Sequence, residues 1–201
     1  MQIKRNKSSW LPAEGLIDSS QNRFSVSNEK FGLRLFLTVV SSLFLLLIIS
    51  YKIRMGLADW HSLPQLTLLW INTAILGISC IGFQRAKLAA SQNQLDKVKF
   101  NLLFGGLLTC VFLIGQVMVW KQLSTMGFYL ENNPANSFFY LITGLHGLHL
   151  IGGLIAWSNT SIQLFCNNHH SNLSSSVELL TIYWHFLLAV WLILFTIIVM
   201  T

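Results

Sequence analysis

Five stretches of this chain contain no Asp, Glu, Lys or Arg: Leu35–Tyr51, Leu66–Phe83, Phe100–Trp120, Phe138–Trp157 and Leu179–Met200. Each holds 17 to 22 residues, and about 20 helical residues are needed to cross a hydrocarbon core. Lipid offers the backbone no hydrogen-bond partner, so a spanning segment must be a helix or part of a closed barrel. The apolar residues run continuously instead of alternating, which excludes the barrel. The fold class predicted is all-α, a polytopic membrane bundle with five transmembrane helices.

Charge sets the expected orientation. Only 10% of the residues are charged and 53% are hydrophobic, against roughly 25% charged in an ordinary soluble domain. The formal net charge of +6 does not mark a nucleic-acid surface, because the basic residues are sorted by side. Ten lie before the first span or between spans two and three, and three lie on the opposite side (Lys52, Arg54 and Lys121). The positive-inside rule then places the N-terminus in the cytoplasm and Thr201 outside. Trp60, Trp120 and Trp157 fall near span ends, where an indole prefers the interface. The first apolar run is too long for a cleavable h-region and is expected to stay as an anchor.

Residues 1–30 are polar and read as a flexible cytoplasmic tail, with the five-helix domain over 31–201. The 84–99 loop is helix-compatible throughout and can extend spans two and three. Asn132, Asn133 and Pro134 form a breaker before span four. Cys80, Cys110 and Cys166 lack CxxC spacing and read as small apolar filler. His169–His170 read as solvated loop residues.

Polar groups inside a membrane are costly and mark functional sites by default. The spans hold few. Asn72 lies in span two and Gln116 in span three. His146 and His149 share a face of span four at i,i+3, and His185 lies in span five with Glu178 seven residues earlier on the same face. Gly144, Gly147, Gly152 and Gly153 let a neighbouring helix approach span four, so its histidines are expected to face protein. Three chemistries suit them: hydrogen bonds between helices, axial ligation of a haem, or a proton relay with Glu178. A transporter would show more intramembrane acids or broken helices.

Two segments carry a resemblance. FFYLITGLHGLHLIGGLIAW (Phe138–Trp157) and VELLTIYWHFLLAVW (Val177–Trp191) resemble the last two helices of subunit III of haem–copper terminal oxidases. The likeness rests on Thr143, Gly144, His146, Gly147, His149 and Gly152 in the first, and on Glu178, Tyr183, Trp184, His185, Phe186 and Trp191 in the second. It is strong over about 138–200 and implies the shorter, five-helix kind of that subunit. The family usually carries an Asp three residues after the last-helix histidine, where this chain has Leu188, which favours a scaffold role for His185.

The resemblance implies a non-catalytic accessory subunit of an aa3-type cytochrome c oxidase, or of a quinol oxidase or nitric-oxide-reductase relative. Haems and copper would reside in partner subunits I and II, with bound phospholipid and a multi-pass place in a bacterial inner membrane. Asn72, His146, His149, Glu178 and His185 would then link helices two, four and five, with Glu178 placed for proton-related work near the cytoplasmic mouth. A b-type cytochrome with bis-His ligation is the alternative of another class.

Overall fold

The computed structural model describes residues 14–56, 67–128, 134–166 and 173–200. Its elements are α1 (Glu14–Met55), α2 (Thr67–Ser91), α3 (Leu95–Thr125), α4 (Pro134–Cys166) and α5 (Leu173–Val199), with no strand among the described residues. All five are long and apolar enough to cross a membrane.

The helices outrun the charge-free stretches. Helix α1 starts at Glu14, inside the segment read as a tail. No Gly or Pro occurs from Leu16 to Phe31, and a helix nucleated by an apolar span propagates cheaply into such a segment. The 84–99 loop is helical apart from the turn at Gln92, Asn93 and Gln94, where Asn93 takes φ 55°. Asparagine tolerates that left-handed conformation, and Gln94 N–H closes the turn on Ala89 O at 3.0 Å. Just past the end of α3, Gly127 takes a φ of 85° that lets Phe128 N–H donate back to Leu123 O at 3.1 Å. Pro134 is the first residue of α4, where its missing N–H costs nothing. Trp60, Asn132, Asn133 and His169–His170 lie outside the described residues.

Helices α2, α3, α4 and α5 form a ring in which each packs on the next and α5 closes on α2. Helix α1 stands outside it and, among the described residues, packs only on α4 and α5. Its seam is apolar, with Val40, Phe44 and Tyr51 packed among Ile142, Val190 and Leu194.

Glycines set the closeness of the ring. A Cβ at Gly82 would meet the Gly105 backbone at 3.2 Å, and one at Gly106 would overlap the Trp157 ring. Trp157 and Trp120 use their indole N–H groups to tie neighbouring helices. Trp157 Nε1 donates to Leu102 O at 2.8 Å and Trp120 Nε1 to Thr143 Oγ1 at 3.1 Å. An indole N–H that finds an acceptor on the neighbouring helix has no need of the headgroup region.

Candidate functional site

Inside the ring, polar side chains stitch helices together in pairs. Asn72 is buried and crosses from α2 to α3, donating to Phe112 O at 3.2 Å and to Gln116 Oε1 at 3.4 Å. One to two turns toward the α2–α3 turn, Ser79 donates to Gly105 O at 2.7 Å and lies 2.8 Å from Thr109 Oγ1. Thr109 also accepts from Trp184 Nε1 of α5 at 3.0 Å. Trp191 Nε1 donates to Thr73 Oγ1 at 3.0 Å, and Thr181 Oγ1 reaches Phe83 O at 3.2 Å. These bonds join α2, α3 and α5, the three helices with the longest shared seams.

The expected link between helices two, four and five through the five named residues is not what the packing gives. Helices α2 and α4 stand on opposite corners of the ring, and Asn72 bonds to α3. His146 is fully buried and sits among rings, with Phe44 at 6.4 Å, Phe112 at 6.2 Å and Trp191 at 5.0 Å between centroids. Neither of its nitrogens meets a hydrogen-bond partner among the described residues. His149 is half-buried, flanked by Phe36 and Phe44 of α1, and its Nδ1 lies 2.8 Å from Leu145 O of its own helix. The backbone O of His149 accepts from Tyr183 Oη of α5 at 2.8 Å. His185 is exposed on α5, with Nδ1 2.8 Å from Thr181 O.

Glu178 is the meeting point of three helices. Its Oε2 lies 2.6 Å from Lys30 Nζ of α1 and its Oε1 3.4 Å from Lys87 Nζ of α2. All three side chains are about a third exposed, and an exposed ion pair contributes about 0–1 kcal/mol. Glu178→Gln should lower the thermal midpoint of the protein only slightly, and the difference should shrink at 1 M salt, where screening covers such pairs. A large, salt-independent loss would place Glu178 in something other than this surface clamp.

Haem ligation fits this geometry poorly. His146 is fully buried among Phe44, Phe112 and Trp191, so no porphyrin face reaches it without repacking those rings. Among the described residues no three His, Cys, Asp or Glu side chains gather as a metal site requires. Cys80 is buried and Cys110 half-buried, both as free thiols.

The sequence-based reading missed Ser79, Thr109, Thr73, Thr181, Trp184 and Trp191 as the working polar ties. Ser79, Thr109 and Trp184 are all buried on the faces their helices turn into the ring.

Comparison with known proteins completes the picture. Residues 14–200 match the family model described as cytochrome c oxidase subunit III. The chain belongs to that family. Cytochrome c oxidase subunit 3 of Synechocystis sp. is 34% identical over 173 residues, covering 82% of this chain and 72% of that protein. The probable cytochrome c oxidase subunit 3 of Mycobacterium tuberculosis is 29% identical over 126 residues, covering 63% of this chain and 62% of its own length. The cytochrome bo(3) ubiquinol oxidase subunit 3 of Buchnera aphidicola is 26% identical over 175 residues, covering 85% and 92%. As a subunit III family member, the chain is a multi-pass accessory subunit of a haem–copper oxidase, and the resemblance seen in α4 and α5 extends over nearly its whole length.

Proposed function

We propose that this subunit III chain is a redox-inert scaffold that docks on the catalytic subunit I of a bacterial haem–copper oxidase through the outward face of α5. The observation that carries this reading is His185. Its imidazole is exposed within an apolar span, on a stripe with Ile182, Ala189 and Ile193. Such a polar group facing lipid is costly, and a neighbouring subunit offers it a partner. The stripe lies between α1 and α2, which both pack on α5 and not on each other. Haems and copper belong to the catalytic partners, and annular phospholipid covers the remaining apolar surface.

The test is purification of the tagged chain from native membranes in mild detergent. Haem a or o absorbance should travel with larger subunits and disappear when this chain is stripped away alone. A b-type spectrum that stays with the isolated chain would overturn the scaffold reading.

His185→Leu should leave the fold of the chain intact, because the side chain is exposed and its hydrogen bond stays within its own helix, yet reduce the amount recovered with the catalytic subunit. Haem per catalytic subunit should stay constant. Complete haem loss from an otherwise assembled complex would sink the idea.

The orientation is cytoplasmic at the N-terminus and external at Thr201, in the inner membrane, on the ten-to-three bias of basic residues. Alkaline phosphatase fused after Thr201 should be active, and a fluorescent protein fused there should be dark. The reverse pattern would invert the bundle.

A further inference from the structure

Gln116 and His146 both carry buried polar atoms without hydrogen-bond partners among the described residues, and the two lie at one level on neighbouring helices. Gln116 Nε2 on α3 and both ring nitrogens of His146 on α4 meet no hydrogen-bond partner among the described residues. The antiparallel register of α3 on α4 is fixed on both sides of them. Trp120 bonds Thr143 and lies 3.6 Å from where a Cβ on Gly144 would sit. Leu113 lies 3.7 Å from the Cβ position of Gly147, and Leu102 O accepts from Trp157. Between those contacts, Gln116 falls opposite His146.

A neutral imidazole carries one donor and one acceptor, and a primary amide carries two donors. Leaving such groups unpaired away from water costs about 1–3 kcal/mol each, and lipid supplies no remedy. A side chain from a partner subunit cannot supply it either, because His146 is 0% exposed and Gln116 3% exposed within this chain alone. The remaining partner is a molecule small enough to sit inside the bundle and able both to accept and to donate. Gln116 Oε1 is already engaged by Asn72 at 3.4 Å, which leaves the amide nitrogen as the donor still to be paired.

We propose that Gln116 and His146 form the two protein walls of a buried water site on the α3–α4 seam. The water accepts from Gln116 Nε2–H and donates to the unprotonated nitrogen of His146, with Phe112, Phe44 and Trp191 closing it off. The site explains an imidazole within an aromatic surround that would otherwise suit a phenylalanine. It stands on the chain's own packing and does not depend on the docking face argued above.

The test uses the intact oxidase complex carrying this chain. A cryo-electron microscopy map that resolves ordered waters elsewhere should hold a peak about 3 Å from both Gln116 Nε2 and one His146 nitrogen. The peak should vanish in Gln116→Met. Gln116→Met and His146→Leu should each lower the thermal midpoint by about 3–10 °C, and the double variant should fall no further than the worse single. An empty map, a direct Gln116–His146 hydrogen bond, or additive shifts would each overturn the proposal. Should His146→Leu fail to assemble, the loss or persistence of the peak in Gln116→Met decides alone.

Discussion

Gly106→Val should keep the chain from accumulating in the membrane. The glycine faces the flat of Trp157, and even a single Cβ there would overlap the ring. The indole cannot swing aside cheaply, because its Nε1 donates to Leu102 O, one turn before Gly106 on the same helix. Overpacking in a close-packed interior costs about 1–3 kcal/mol, and more where neither neighbour can yield. Here the clash pushes α3 off α4 and breaks the ring at one of its four seams. Gly77→Ala is the matched control, since a Cβ there has nothing within 4 Å. Immunoblots of membranes should show the first variant depleted at least tenfold and the second at wild-type level. Equal amounts of both would mean that helix approach at Gly106 is looser than described.

The second large effect should come from Trp184→Ala. Trp184 is 1% exposed, lies against Phe83 with ring centroids 4.2 Å apart, and donates Nε1 to Thr109 at 3.0 Å. Truncation removes one of the two buried tryptophans of α5 and leaves a cavity, at a cost of about 3–5 kcal/mol. The thermal midpoint of the purified complex should fall by about 10 °C or more, or this chain should be lost from the complex. Trp184→Phe should recover most of the stability and forfeit the bond to Thr109. The contrast with His185, the next residue in the chain, is direct. One side chain faces the core and the other faces away from it, so Trp184→Ala acts on folding and His185→Leu on association. A result in which both variants fold poorly would contradict the placement of His185.

How much of this could be read from sequence depends on the kind of interaction. The number of spans followed from missing charges, a constraint that lipid imposes on each helix separately. Helix ends were harder. Glu14 and the Asn93 turn sit in polar segments where several breakpoints are equally compatible with the composition. The family motifs in α4 and α5 pointed to the right subunit, yet roles did not follow from motif membership. His146 and His149 share a face, but one is sealed among rings and the other rests on α1. Glu178 drew notice as an intramembrane acid, while its partners Lys30 and Lys87 come from two other helices, a pairing that only packing reveals. Serine and threonine were passed over because most of them bond their own helix, as Thr38, Ser41 and Ser42 do here. Ser79 and Thr109 reach across, and nothing in their local sequence separates the two habits.

The position of α1 has a consequence for biosynthesis. Among the described helices, α1 leaves the ribosome before the other four and touches only α4 and α5. At about 5–20 residues per second, the stretch between Met55 and Pro134 takes on the order of 10 s to translate, and through that interval α1 has no native neighbour among the described helices. It must wait in the bilayer, as an independent apolar segment able to hold its place, while α2 and α3 pair beside it. Its exposed Phe31, Leu35, Val39 and Leu46 suit that wait, since a lipid-facing surface is already satisfied before any partner arrives. Helix α5 therefore does two jobs at once: it closes the ring on α2 and, with α4, completes the seat of the waiting α1.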